Sequence, residues 1–412
     1  MRRVLMIAFH FPPMAGSSGI QRTLRFVRHL PEFGWEPLVL TVTPHAYERT
    51  SMDLMADVPS GVVVNRAFAL DTARHLAVGG RYFGWLARPD RWRSWQLAGA
   101  REGMRMIKRY QPQVIWSTYP IATAHTIGST LHRGSGLPWI ADFRDPMAQE
   151  GYPEDPLVWK SYKAIETDAV HRARFSTFTT PGAAAEYRTR YPMARDRIVV
   201  LENGYDEESF AAVSSATKAP LHPGMVTLLH SGVVYPQERD PTNLFLALRR
   251  LVDSGKLTAG DLKIRFRAAM HDDVLRVLAR QYAVEDYIEL CPPVPYTEAL
   301  KEMLRADGLL VMQAANCNAQ IPAKIYEYLR AGRPIIALTD PVGDTAGVLR
   351  GFGLDAMARL DSADEICALL PRFIATIRSR QALLPDAESV ERASRQGRTA
   401  SLAGLLQRSS SV

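Results

Sequence analysis

Apolar and polar positions alternate along the chain in a strand-then-helix rhythm. Residues 4–9 form a continuous apolar run, the mark of a strand buried on both faces. After Gly16-Ser17-Ser18-Gly19, residues 21–30 carry apolar side chains at helical spacing, and residues 37–41 return to an apolar run. This predicts a βαβ opening. Gly34 is placed to stop the helix, because glycine accepts the left-handed backbone of a C′ position. Further apolar runs at 114–117, 138–142, 175–179 and 198–201 alternate with helical stretches, which predicts a mostly parallel sheet.

Residues 214–223, with Ser215, Pro220 and Pro223, are poor in large apolar side chains and read as a linker. The rhythm then restarts. Residues 225–230 form an apolar strand ending in Ser231-Gly232, and Asp240-Pro241 opens a helix to about 253. Strands are predicted at 263–268, 287–290, 309–313 and 334–338, with helices at 273–282, 297–306 and 322–331. A terminal helix is predicted over 386–406, with Ser409-Ser410-Ser411 as a frayed tail. The expected class is α/β, with two doubly wound, Rossmann-like domains facing each other across a cleft. The expected boundaries are 1–206, a linker at 207–222, 223–384, and a helix and tail at 385–412 packing back toward the first domain.

Composition narrows this further. With 412 residues, 47% hydrophobic and 23% charged, the chain has apolar surface enough for more than one core, which excludes intrinsic disorder and small stapled scaffolds. Cys291, Cys317 and Cys367 lie far apart, which argues against a zinc ribbon or a disulfide framework and fits a reducing cytoplasm. The start Met1-Arg2-Arg3 followed by an apolar run has the look of a signal peptide, but His10, Pro12 and Pro13 interrupt it, and a buried strand is the expectation. No apolar stretch approaches the roughly 18 to 20 residues that span a bilayer, so membrane association is expected to be peripheral.

The net charge of +7 is unevenly spread. Residues 71–110 hold nine basic side chains, among them Arg81, Arg91 and Arg93, against Asp71, Asp90 and Glu102. Trp85 and Trp92 lie in the same stretch. Arginine mixed with tryptophan suits the headgroup region of an anionic membrane; a solvated helical face with a few core aromatics is the plainer reading. Nucleic acid is not expected, since no recognition module accompanies the basic stretch.

Several short stretches carry candidate chemistry. The Gly16 to Gly19 link lacks the full G-x-G-x-x-G fingerprint, and the second strand ends Leu40-Thr41-Val42-Thr43-Pro44 without the acid that would hold a ribose, which argues against a nicotinamide enzyme. A glycine loop before a helix still suits a phosphate or sugar hydroxyl, as well as a plain turn. Lys324 and Glu327 lie three residues apart on one helix face, with Lys324 in the first turn. That is a cation for a diphosphate beside a carboxylate for ribose hydroxyls, or an exposed ion pair. Asp142-Phe143-Arg144-Asp145 follows a strand, where open α/β sheets bind ligands. An internal Asp–Arg pair, acceptor recognition, and general-base duty for Asp142 or Asp145 all fit. His10 fits a loop hydrogen bond or a sugar contact. Histidines are scattered and no D-x-D motif adjoins a strand, so no metal or cofactor is expected.

The stretch Ile321-Pro322-Ala323-Lys324-Ile325-Tyr326-Glu327 resembles the donor-binding helix of retaining family 4 glycosyltransferases of the GT-B fold, the type that builds bacterial cell-surface polysaccharides. Ala8-Phe9-His10-Phe11-Pro12-Pro13 with the glycine loop resembles the family's N-terminal strand and loop, Asn203-Gly204-Tyr205-Asp206 its crossing between domains, and Ser231-Gly232 with Arg239 its phosphate-contacting loop. The matches run in order along nearly the whole chain. The resemblance implies a nucleotide diphosphate sugar as donor, transfer of a hexose-type sugar with retention, and a lipid-linked or cell-surface glycan as acceptor. It puts Glu327 on the ribose, Lys324 and Arg239 on the diphosphate, Gly232 in the phosphate loop and Gly16 or Gly19 beside the transferred sugar. It gives His125 a substrate-positioning role; a structural histidine is the alternative. The expected place is the cytoplasm, at the inner face of the cell membrane where the basic stretch holds it. One departure matters: the family's first of two glutamates, separated by seven residues, is Ala319 here, which leaves Asn318 or Gln320 to contact the sugar. A non-catalytic nucleotide-binding or scaffold protein of the same fold is the rival reading.

Overall fold

A computed structural model describes residues 1–17, 19–214 and 219–411. Its contacts divide the chain into two units, Met1–Asn203 with Arg395–Val412, and Gly204–Ser394.

The first unit runs β1 (Arg2–Ile7), α1 (Gly19–His29), β2 (Trp35–Val42), β3 (Val63–Ala67), α2 (Thr72–His75), α3 (Trp95–Tyr110), β4 (Val114–Thr118), α4 (Ala122–Ser135), β5 (Trp139–Arg144), α5 (Pro156–Arg172), β6 (Phe175–Phe178), α6 (Pro181–Arg190) and β7 (Ile198–Val200). Its seven strands lie in the order β3-β2-β1-β4-β5-β6-β7, with parallel pairing throughout. The β1 apolar run follows from this placement. Leu5 and Ile7 enter a core with Ile127 and Leu131 of α4, whereas Val4 and Met6 enter a second core with Leu24 and Val27 of α1. A strand covered on both faces needs apolar side chains at every position. The order reverses between β1 and β4, which leaves a switch point at the C-terminal edge of the sheet.

The second unit runs α7 (Glu207–Ala211), β8 (Val226–Ser231), α8 (Thr242–Asp253), β9 (Leu262–Arg267), α9 (Asp272–Gln281), β10 (Ile288–Cys291), α10 (Tyr296–Arg305), β11 (Gly308–Met312), α11 (Lys324–Ala331), β12 (Ile335–Leu338), α12 (Asp344–Gly351), β13 (Met357–Ala358), α13 (Ala363–Arg378) and α14 (Ala387–Arg392). Its six parallel strands take the order β10-β9-β8-β11-β12-β13, with a second switch point between β8 and β11. Helices α8, α9 and α13 pack on one face, and α7, α10, α11, α12 and α14 on the other.

The last helix, α15 (Arg395–Ser410), belongs to the first unit. Its Leu402, Leu405 and Leu406 join the core of Leu24, Val27 and Leu30. The expected single helix over 386–406 is thus two helices, and the expected frayed tail is partly core: Ser409 is buried with its hydroxyl donating to the Leu405 carbonyl. The expected linker begins as α7, whose Phe210 is buried, and the part of it at 215–218 lies outside the described residues. Strands β3 and β13 add to the predicted set.

Helices α3 and α4 approach closely through glycines. A methyl on Gly99 would lie 2.6 Å from Ile127 Cδ1, and one on Gly103 would overlap Leu131. Overfilling a packed core costs about 1 to 3 kcal/mol. Gly103→Ala is therefore expected to lower stability by about that amount in urea unfolding, and Gly134→Ala, which meets only Met104 at 3.5 Å, to be near neutral.

Candidate functional site

At the C-terminal edge of the second sheet, β8 ends in Ser231 and the chain turns at Gly232, whose φ is +116°. Tyr328 of α11 fixes that turn: the Ser231 N–H donates to its hydroxyl at 2.8 Å. Lys324, the first residue of α11, lies beneath it, and a Cβ at Gly232 would sit 3.2 Å from Lys324 Nζ. Glycine is therefore required both by the backbone and by the room the ammonium needs. Arg239 is held nearby, its guanidinium over the Tyr235 ring at 5.3 Å and bonded to the Val233 carbonyl. One helical turn on from Lys324, Glu327 accepts from the Tyr296 hydroxyl at 2.8 Å.

Lys324 makes no salt bridge among the described residues. Desolvation and then Arg239 pull its ammonium down to about 7, against an upward pull from Glu327. A desolvated cation beside a second cation, at a helix start, is an environment completed by an anion. The exposed ion-pair reading of Lys324 and Glu327 gives way here, since Lys324 is desolvated and makes no salt bridge among the described residues, while Glu327 accepts from Tyr296.

Asn318 and Gln320 flank the position of the missing acid. Asn318 Nδ2 donates to Asp340 at 2.7 Å, which turns its amide toward the β12–α12 loop. Gln320 is exposed, and its carbonyl accepts from Gln313 Nε2 at 3.0 Å. Buried Gln313 also donates to the Cys317 carbonyl at 2.9 Å, so it organises the whole loop before α11. Beside this loop is a cavity of about 500 Å³ lined by Asp240, Gln313, Asp340 and Arg359. No group of three or more His, Cys, Asp or Glu side chains among the described residues is placed to hold a metal ion.

In the first unit, Gly16 has φ +82° and Gly19 opens α1. A Cβ on Gly19 would meet the His10 ring at 2.6 Å and the Arg144 guanidinium at 3.0 Å, so this glycine serves close approach. Ser18 lies outside the described residues. His10 Nδ1 is 3.3 Å from Ser17 Oγ, and burial followed by Arg144 drives its pKa to about 4, so the ring is neutral at pH 7. Asp145 is exposed just beyond β5.

Asp142 is engaged on every side. Arg22 of α1 binds it bidentately at 2.8 and 3.0 Å, and Thr118 and Thr177 donate at 2.8 and 2.7 Å. Burial alone would raise this carboxyl, but Arg22 and the two hydroxyls together hold it below the ordinary range. Each oxygen accepts two of these bonds, so a general base there would have to give up at least one of them, and the geometry suits Asp142 to an anchoring role. Its partner is Arg22 and not neighbouring Arg144. Arg22 also donates to the Leu201 and Glu202 carbonyls, tying α1 to the segment that leaves this unit. Sequence reasoning passed over Arg22; its signal was an arginine among Ile20, Leu24 and Val27 in a helix buried nearly all round.

His125 is wholly buried, with Nδ1 2.8 Å from Ser117 Oγ and its ring 4.8 Å from Phe143. Burial lowers its pKa to about 4, against a raising effect of Asp142. This packing fits the structural alternative, while Nε2 is buried with no hydrogen-bond partner among the described residues.

The basic aromatic stretch divides in two. Trp95 is core, Trp92 donates to the Ala46 carbonyl and packs against Phe9, and Arg91 pairs with buried Asp71. Arg91 and Trp92 are thus both engaged within the fold while remaining partly exposed. Outside, Val78 and Arg81 close a two-residue hairpin over Gly79 and Gly80. Val78, Phe83 and Trp85 are 85%, 72% and 56% exposed, with Arg81 and Arg93 exposed beside them.

Residues 18–204 match the family model described as Glycosyl transferase 4-like domain. A search of curated proteins finds no match. Solved structures similar over the full length include sucrose-phosphate synthase from Thermosynechococcus elongatus, at 14% identity and a TM-score of 0.63, covering 99% of this chain and 98% of that one. HepE from Anabaena, in complex with UDP and glucose, matches at 13% identity and a TM-score of 0.59, covering 99% and 100%. The lipopolysaccharide outer core galactosyltransferase WaaB, in apo form, matches at 10% identity and a TM-score of 0.61, covering 98% and 99%. The chain has the GT-B fold, with two Rossmann-like units of seven and six parallel strands.

Removing one partner of a buried ion pair costs about 3 to 5 kcal/mol. Asp142→Ala is expected to lose stability of that order in chemical unfolding at pH 7. Because the native carboxyl titrates below its unfolded value, the wild-type contribution is present above the unfolded pKa and disappears as pH falls through the native one. The gap between wild type and variant should therefore narrow in acid.

Proposed function

We propose that the protein is a glycosyltransferase that moves a hexose-type sugar, with retention, from a nucleotide diphosphate sugar to a hydroxyl of a lipid-linked or cell-surface glycan. The observation that carries this reading is Lys324, a desolvated cation without a salt bridge among the described residues, under the Gly232 turn and one helical turn from Glu327. Lys324 and Arg239 would neutralise the diphosphate as it departs, the charge that develops when the glycosidic bond to phosphate breaks. Glu327 would accept from ribose hydroxyls. The family match over 18–204 supports the reaction class, and the UDP and glucose bound to HepE support a uridine donor.

Ala319 favours a second reading, a nucleotide-binding scaffold that keeps the donor site without the chemistry. Slow hydrolysis of UDP-glucose by the purified protein, abolished in Lys324→Ala, supports the enzyme; nucleotide binding with neither hydrolysis nor transfer supports the scaffold.

The exposed hairpin face suits the surface of an anionic membrane. Its acids face inward, Asp71 against Arg91 and Asp90 against Thr123, which leaves aromatic and basic groups outside. No helix among the described residues is long and apolar enough to cross a membrane.

Three outcomes test this. UDP at 100 times its dissociation constant should stabilise the protein by about 2.7 kcal/mol, an effect absent in Glu327→Ala and Lys324→Ala; no shift with UDP, GDP or ADP would contradict the donor site. Lys324 is charged below about pH 7 and neutral above it, and an anion favours the charged form. UDP-glucose, whose phosphates do not titrate there, should bind more weakly as pH rises through 7, by up to about tenfold per unit, and Lys324→Arg should flatten the profile. Phosphatidylglycerol vesicles should sediment the wild type at low salt but not a Phe83→Ser, Trp85→Ser variant with unchanged nucleotide stabilisation; equal sedimentation would remove the membrane face.

A further inference from the structure

His230 is the penultimate residue of β8 and is wholly buried. Its ring is flanked by Phe266 of β9, at 5.9 Å between centroids. Nδ1 lies 3.0 Å from the Leu310 carbonyl of β11, the strand across the switch point. A carbonyl only accepts, so Nδ1 carries the proton. In the neutral ring this leaves Nε2 as a lone pair, and Nε2 lies 3.3 Å from Lys324 Nζ. Burial first, and then the charge of Lys324, push the pKa of His230 well below its ordinary value, so the neutral form holds across the physiological range. An ammonium donating to a neutral imidazole is the one arrangement that satisfies all three groups.

We propose that His230 is a positioning residue: its Nε2 accepts from the Lys324 ammonium and, anchored through Nδ1–H to Leu310, holds that cation under the Gly232 turn for the diphosphate of the donor. This rests on the donor-site reading given above.

The arrangement explains two otherwise separate features. Lys324 carries a long flexible stem, and a carboxylate partner would hold it in place but cancel the charge a diphosphate needs. A neutral acceptor aims the ammonium without neutralising it. The other groups around the pair do not compete for this role. Arg239, from the β8–α8 loop, repels Lys324; Glu327 and Tyr328, from α11, are bonded to Tyr296 of α10 and to Ser231. The register of β8 against β11 thereby sets where the cation sits, through a bond between a strand residue and a residue 94 positions later.

Two measurements decide it. In the protein labelled with ¹⁵N-histidine, the His230 signals, identified by their loss in His230→Gln, should report the Nδ1–H tautomer from pH 6 to 8. The Nε2 resonance should move in Lys324→Met. An Nε2–H tautomer, or an Nε2 signal indifferent to Lys324→Met, would overturn the proposal, and this readout needs no ligand. The second is UDP affinity by calorimetry. His230→Leu should lose about tenfold, Lys324→Met at least as much, and the double variant no more than Lys324→Met alone, because both act through one cation. His230→Gln, whose amide oxygen can accept, should recover most of the loss. Additive losses in the double variant would make His230 a packing residue only and overturn the proposal. A wild type that fails to bind UDP would count against the donor reading, while the spectra still decide the pair.

Discussion

A single desolvated ammonium organises the second unit's candidate site. Lys324 sits at the first position of α11 with Arg239 as a like-charged neighbour and a neutral imidazole as its hydrogen-bond acceptor. Burying a charge is costly unless something compensates it, and the protein groups around Lys324 compensate only in part. The rest of the local architecture follows from accommodating it. Gly232 leaves room for it, Tyr328 fixes the turn above it, and the β8–β11 register places the histidine that aims it.

The first unit solves the same problem in the opposite way. Arg22 and Asp142 are both buried, but each finds its partner and its remaining hydrogen bonds within the fold. That network ties α1, β4, β5, β6 and the exit segment at Leu201 together at the C-terminal edge of the sheet. A complete network of this kind is suited to support; an incomplete one, as at Lys324, is suited to binding.

Much of the fold could be read directly from the sequence, because strands buried on both faces announce themselves as apolar runs. The exceptions have physical causes. Strand β3 at the sheet edge mixes Asn65 and Arg66 into its length, and β13 is two residues long, so neither produces a pattern. The tail of α15 looks polar by residue type, yet Ser409 satisfies its hydroxyl on its own helix and can be buried. At the candidate site, the spacing of Lys324 and Glu327 was visible because both lie on one helix turn. Partnerships that cross the sheet were not: His230 with Lys324 and Arg22 with Asp142 join residues far apart in sequence, and the local stretch offered only Arg144 as an arginine. The inward contacts of Arg91 and Trp92 were hidden for a related reason, since composition does not tell which side of a loop faces the core.

If the proposed function holds, the Lys324 end of the second sheet binds the diphosphate of a nucleotide. A co-crystal structure with UDP tests it most directly. The diphosphate is expected in contact with Lys324 Nζ beside Gly232, with the ribose hydroxyls at Glu327. Density for UDP in the cavity bounded by Asp240, Asp340 and Arg359, or no density at Lys324 under saturating nucleotide, would contradict it.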